Sequence, residues 1–267
     1  MRGFLLCGIS LILVSCHQKD LLYPGSSMIK ITVSFDWEQA PEACPDGMTV
    51  VFFPVGTGGK VWRYELPGRD GGDVELPAGT YNMLAFNNDL RYVFFDDVEN
   101  LFSYRAYTRE VPLSWPDNVT DAYPEISGFE SFHSPDPLFC GTASDIEVSL
   151  CSVVYTPGLD SAETVRTECR RHVIKCCPSP RTSSYTCILR NVANVASMNR
   201  GYCLLTGLAQ SELIACDVLS KQQAAFSFVA GREESNICGR TAAFGCSSSE
   251  SAMQWLYLVF VLTDGSG

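Results

Sequence analysis

From Met28 to Asp96 the chain is cut again and again by turn-forming residues. Short runs rich in Val, Ile, Phe, Tyr and Thr, "MIKITVSFDW", "GMTVVFFP", "KVWRYEL", "DVELP", "TYNMLAFN" and "RYVFF", are separated by "PEACPDG", "VGTGG", "PGRDGG", "PAG" and "NND". In the first run Ile29, Ile31, Val33, Phe35 and Trp37 share one face, while Lys30, Thr32, Ser34 and Asp36 share the other. That period of two is the mark of a strand with one buried side. Strands spaced so evenly predict an all-β chain built from antiparallel sandwiches.

The pattern breaks from Glu110 to Cys140, where prolines interrupt "VPLSWPDNVTDAYPEISGFESFHSPDPLFCG" and alternation fades. Such a segment is expected to run over the surface or bridge a sandwich edge. Strands resume at "DIEVSLCSVVY", and after "TPGLDSAE" a second set follows: "VRTECRRHVIKCC", "YTCILRNVANV", "CLLTGLA", "AAFSFVAG" and "WLYLVFVLTDG". Trp255 to Leu262 is apolar at every position, which predicts a central strand covered on both faces. "NVANVASMN" has helical flavour and is expected to form a single turn. Two sandwiches in tandem are therefore expected, over residues 28–151 and 165–267, with a linker at 152–164.

The N-terminus reads as an export signal over residues 1–15: Arg2, then the apolar run "FLLCGISLILV", too short to cross a bilayer. "LVSC" at Leu13 to Cys16 resembles the lipobox of bacterial lipoproteins, which implies a lipid on the Cys16 thiol. The thiol suits a thioether-linked diacylglycerol, and each buried methylene of the acyl chains adds roughly 0.8 kcal/mol to membrane attachment. Residues 16–27, beginning with Cys16, His17, Gln18, Lys19 and Asp20, would then be a polar tether.

A net charge of −11 argues against nucleic acid, whose phosphates need a basic face. The one local basic cluster, Arg166, Arg170, Arg171 and Lys175, reads as a solvated strand face. Of thirteen cysteines, Cys7 falls in the signal and Cys16 at the lipid site. The remainder is odd, so at least one thiol stays free or pairs between chains. Their spacing does not match a zinc ribbon, and a hairpin at "CCPSPRTSSYTC" would set Cys176 or Cys177 opposite Cys187.

"VSFDWEQAPEACPDGMTVVFFP", "LPAGTYNMLAFNND", "AYTRE", "PDPLFCG", "LRNVANV", "GLAQS" and "FVLTDG", with the lipobox and its tether, resemble a Bacteroidetes family of fimbrillin-like surface lipoproteins of unassigned domain function, related to fimbrial anchor subunits. The resemblance covers nearly all of the mature chain. It implies two transthyretin-like sandwiches, display on the outer membrane, fimbrial subunits as partners by strand exchange, and no enzymatic role. Family members usually continue past "LTDG" with another strand, so an open edge is expected in the second sandwich. "DSA" at Asp160 to Ala162 matches the short pattern at which Bacteroidetes attach O-glycans, which makes Ser161 an acceptor candidate. "NVT" at Asn118 is read as noise.

The stretch "VELPAGTYNMLAFNND" holds Asn87, Asn88 and Asp89, which with Asp96, Asp97 and Glu99 would supply oxygens for calcium, yet the ligand spacing is not that of a known loop. The turn reading is preferred: Pro77 presets the corner and Gly79 relaxes it. No metal or cofactor is expected. His133 and His172 lack a nucleophile in a recognisable elbow, Asp36 and Glu38 read as a strand's wet face, and "GTGGK" ending at Lys60 reads as a hairpin turn. Two functions remain: a fimbrial or adhesive surface subunit assembling by strand addition, and a glycan-binding module stacking sugars on Trp62, Trp115 and Tyr123.

Overall fold

The computed structural model describes residues 28–56, 58–113, 115, 126, 128–149, 153–154, 166–167 and 172–263. Cys16, Asn118, Tyr123, Ser161 and the last four residues lie outside them, as does the expected linker apart from Val153 and Val154.

The described chain is all-β, as expected. Sheet A has three strands: β1 (Ile29–Phe35) lies between β4 (Gly71–Leu76), antiparallel, and β12 (His172–Cys176), parallel. Sheet B runs β13 (Ser179–Pro180), β9 (Phe139–Val148), β5 (Gly79–Asn87), β2 (Gly47–Pro54), β3 (Trp62–Pro67). Sheet C runs β17 (Val218–Leu219), β16 (Ser211–Leu213), β7 (Arg105–Tyr107), β6 (Phe94–Asp96). Sheet D runs β14 (Ser183–Leu189), β19 (Asn236–Ala243), β18 (Gln223–Glu233), β15 (Met198–Ala209), β20 (Leu256–Leu262), and β8 (Ser131–Phe132) pairs with β18 beside them. A two-stranded ribbon joins β10 (Val153–Val154) to β11 (Arg166–Thr167).

Sheet B is the middle layer of three. Met48, Val50, Phe52, Met83 and Ala85 on one face pack with Ile31, Val33, Val74, Leu76 and Ile174 of sheet A. On its other face Val51, Phe53, Leu84, Phe86 and Cys140 pack with Phe95, Ala106 and Leu219 of sheet C. The unbroken apolar run of β2 is thus buried on both sides, the pattern of a central strand. β1 shows the predicted alternation and ends at Phe35, so Asp36 and Glu38 lie in the turn that follows, where Asp36 accepts the Glu38 N–H.

β15 leaves sheet D and continues, after Gln210, as β16 in sheet C. The exit is a bulge between Leu205 and Leu208, where Gly207 has φ +74° and a Cβ would lie 2.3 Å from the Met253 carbonyl oxygen. Only glycine suits both demands. "NVANVASMN" contains the expected single turn, a 3-10 turn over Val195–Ser197.

No disulfide forms among the nine described cysteines, so the bridge from Cys176 or Cys177 to Cys187 is absent. Cys176 instead packs in the sheet A–B core, and Cys187 stands opposite Gly239 in the β14–β19 ladder. Burial pushes the Cys140, Cys176 and Cys203 thiols up to about 12, which leaves them unreactive at neutral pH. Thiol titration of unfolded, unreduced protein is expected to find each of these nine cysteines reactive. A bridge between any two of them, located by peptide mapping, would contradict this arrangement.

Candidate functional site

The expectation for Trp255 to Leu262 is reversed in one respect. β20 is an edge strand of sheet D, paired only with β15 among the described residues, from Leu256↔Leu205 to Leu262↔Met198. Two-faced apolarity arises here because both faces are half covered. Tyr257 and Val259 pack with Tyr202 and Phe129 on one side, and Leu258 and Phe260 with Cys203 and Phe228 on the other. Its ends are open: Trp255 is 54% exposed, Leu256 41% and Leu262 37%.

The strand is held firmly in that position. The Thr206 N–H donates to the Trp255 carbonyl at 2.9 Å, and the Trp255 N–H donates to Thr206 Oγ1 at 3.2 Å. The Thr263 N–H donates to the Ser197 carbonyl at 2.8 Å, which fixes the far end. Gly201 faces Phe260, whose ring carbons would lie 3.1 Å from a Cβ there, so the glycine lets the ring rest on the sheet.

Most other edges carry features that discourage pairing. β3 has Arg63, Glu65 and Pro67, β4 has Asp73 and Glu75, β12 has Lys175, and β6, β13 and β17 are two or three residues long, while β14 is also free of charge, proline and glycine but, unlike β20, carries the polar Ser183, Ser184 and Thr186. "LYLVFVL" has seven residues without a charge, proline or glycine. An edge of that kind is a template for another strand.

The remaining candidates lie elsewhere. Asn87 is buried and ties strand ends together: its Nδ2 donates to the Pro137 carbonyl at 3.0 Å and to Asp89 at 2.7 Å, and its Oδ1 accepts the Phe139 N–H. Asn88 donates to Glu65, Asp89 accepts the Asp46 N–H, Asp96 pairs with Arg105, and Asn100 rather than Asp97 or Glu99 caps the adjacent 3-10 turn. The Tyr81 hydroxyl donates back to the Pro77 carbonyl, which fastens the corner. The stretch is scaffold. Lys60 sits over Trp62 at 4.3 Å, His133 stacks on Tyr92, and the His172 ring contacts the Ser149 carbonyl. Trp115, expected to be exposed, is buried beside Tyr202 in the core under the irregular segment, so it cannot stack on a sugar.

One charged cluster was not foreseen. Glu212 on β16 is 1% exposed in its side chain, and neither carboxylate oxygen has a hydrogen-bond partner. Arg181, beyond β13, brings Nη1 to 3.7 Å but spends that nitrogen on Asp217 at 2.8 Å. Burial, with Asp217 adding to it and Arg181 opposing, raises the Glu212 carboxyl to about 7. A lone acidic residue in "QSELIAC" gives a reader of the sequence no sign of burial.

A model of the family described as Domain of unknown function (DUF5119) matches residues 15–229. Among curated proteins, one from Bacteroides ovatus provisionally named fimbrium anchoring subunit Fim4B is 32% identical over 110 residues, 40% of this chain and 32% of that protein. The chain thus spans about a third of the length of the curated relative it matches. A solved Bacteroides ovatus protein provisionally named an adhesin has a TM-score of 0.61, with 95% of this chain and 85% of that one covered at 18% identity. The fimbrial anchor protein Mfa2 from Porphyromonas gingivalis has a TM-score of 0.50, with 90% and 80% covered at 10% identity. At these identities the likeness is one of fold.

The Glu212 geometry has a signature in pH. Between the ordinary glutamate value of 4.5 and about 7 the folded state holds a proton that the unfolded state has lost. Stability is therefore expected to fall as pH rises through that window, by on the order of 3 kcal/mol from this group, and to level off above it. Glu212→Gln should raise the melting temperature at pH 8 and flatten the slope. A variant with the parent's pH profile would show that Glu212 is not the group responsible.

Proposed function

The chain belongs to the DUF5119 family, and from that premise we propose that it is a non-enzymatic lipoprotein of the outer membrane, displayed as a fimbrial anchor or adhesive subunit that takes up a partner's strand along β20. Lipid on Cys16 holds it to the membrane, residues 16–27 form the tether, and segments 28–151 and 165–267 supply the two sandwich-forming halves. An O-glycan on Ser161 would sit on the linker between them. The observation that carries the reading is the unguarded edge itself, seven apolar residues fixed at both ends with their outer backbone groups unpaired in the described sheet.

The relative named as a fimbrium anchoring subunit and the fold shared with Mfa2 support the same assignment. A fimbrial subunit supplies a β-strand, whose backbone would extend sheet D while alternate side chains cover the half-buried faces of Leu258 and Val259. An anchor needs one firm membrane attachment and one strong docking surface, and no chemistry between them.

A synthetic β-prone peptide that copies the pattern of a fimbrillin terminal strand is expected to raise the melting temperature of the purified chain by several degrees. A ligand of the folded state at a hundred times its Kd contributes about 2.7 kcal/mol. The same peptide with a central proline should leave it unchanged, since proline cannot complete the ladder. No shift at saturating peptide, with the chain a monodisperse monomer, would show that the edge does not accept strands. For the anchor, Cys16→Ser is expected to move the protein from the membrane pellet to the soluble fraction. Retention in the pellet would overturn the lipid assignment.

A further inference from the structure

Three segments far apart in the sequence meet on the outer face of sheet C. β6 and β7 pair with Phe94 opposite Tyr107, and beyond the ladder the Arg109 carbonyl accepts the His133 N–H at 3.0 Å. This brings together Arg91, Tyr92, Phe94, Tyr107, Arg109 and His133. Arg109 lies over the Phe94 ring at 3.9 Å, Arg91 over Tyr92 at 5.0 Å, and His133 stacks on Tyr92 at 4.6 Å with an interplanar angle of 25°. Phe94 and Tyr107 are neighbours at 6.0 Å.

The cluster puts two arginines beside an aromatic patch on an acidic molecule. The chain carries a net −11, yet Arg91 and Arg109 are exposed and form no ion pair among the described residues. Asp96 pairs with Arg105 at 2.8 Å, Asp136 accepts the backbone N–H groups of Arg91 and Tyr92, and Glu110, next to Arg109 in sequence, is in no ion pair with either arginine. A guanidinium laid on a ring has lost much of its freedom while it keeps N–H donors to offer an oxyanion. The phenol oxygens of Tyr92 and Tyr107 have no hydrogen-bond partner among the described residues. They remain available to hydroxyl groups beside that anion.

We propose that the Arg91–Arg109 face of sheet C binds an anionic polysaccharide, with carboxylate or sulfate groups on the two guanidiniums and sugar hydroxyls on the two tyrosines. A peptide fits less well, because β6 at three residues is too short an edge to hold a strand. Nucleic acid is opposed by the overall charge. The site uses none of the residues of β20, so it stands apart from strand uptake. It would give a surface subunit a second contact, with a charged glycan coat.

The purified full chain should be titrated by calorimetry at low salt with polygalacturonate, with a sulfated polysaccharide and with neutral dextran. Binding is expected to at least one charged polymer and not to dextran, and the preferred polymer identifies carboxylate or sulfate as the anion. The affinity should fall as salt rises. Arg91→Gln with Arg109→Gln is expected to weaken it by about tenfold or more without lowering the melting temperature, because both side chains are exposed. Arg109→Lys, which keeps the charge but loses the fork, should lie in between. Arg63→Gln, at an exposed ion pair on β3, serves as a control and should bind like the parent. No binding to either charged polymer, equal binding to dextran, or an unchanged affinity in the double variant would overturn the proposal, whatever the strand-peptide experiment shows.

Discussion

Backbone groups inside a sheet must find partners, and the way this chain meets that demand determines its architecture. Sheet A is extended by β12 on β1, sheet B by β13 on β9, sheet C by β16 on β7, and sheet D by β8 on β18. In each case the extending strand comes from the other part of the sequence. β8 shows the principle on a small scale. β19 pairs with β18 only from Asn236 to Gly239, and β8 takes up the side of β18 that this leaves, while Ser134 bonds both the N–H and the carbonyl of Ala242. With pairing so interleaved, neither part of the described chain has complete sheets alone, which favours one cooperative unfolding unit.

Much of this was legible, and the rest was hidden for definite reasons. The alternation of β1, the turn clusters and the corner at Pro77 and Gly79 are local signals, so they read directly. The partners of a strand are not local. Nothing in "HVIKC" says that it lies parallel to β1, and nothing in "SEL" says that it extends sheet C. Uniform apolarity is ambiguous in the same way. In β2 it marks a strand covered on both sides, whereas in β20 it marks an edge whose two faces are each half covered. The guanidinium cluster escaped notice because Arg91, Arg109 and His133 meet only through folding.

The buried cysteines among the described residues serve packing. Export would permit bridges, but Cys140 and Cys176 lie in the two cores flanking sheet B, and Cys203 in a core of sheet D. Gly141 shows how closely one of them fits, since a Cβ there would lie 2.5 Å from the Cys176 sulfur. Thiols in such places act as small apolar side chains. Stability then rests on buried apolar area, which three stacked layers supply in quantity.

β1 has one further property. It is clamped between a parallel and an antiparallel neighbour, with paired residues from Ile31 to Phe35 on one side and from Ile29 to Ser34 on the other. Tension entering the chain ahead of Ile29 would pull along the strand, so the hydrogen bonds of both ladders would be loaded together in shear instead of opening one after another like a zipper. Under force the relevant quantity is the unfolding rate, not the equilibrium stability. Mechanical endurance of that kind begins at the first described strand.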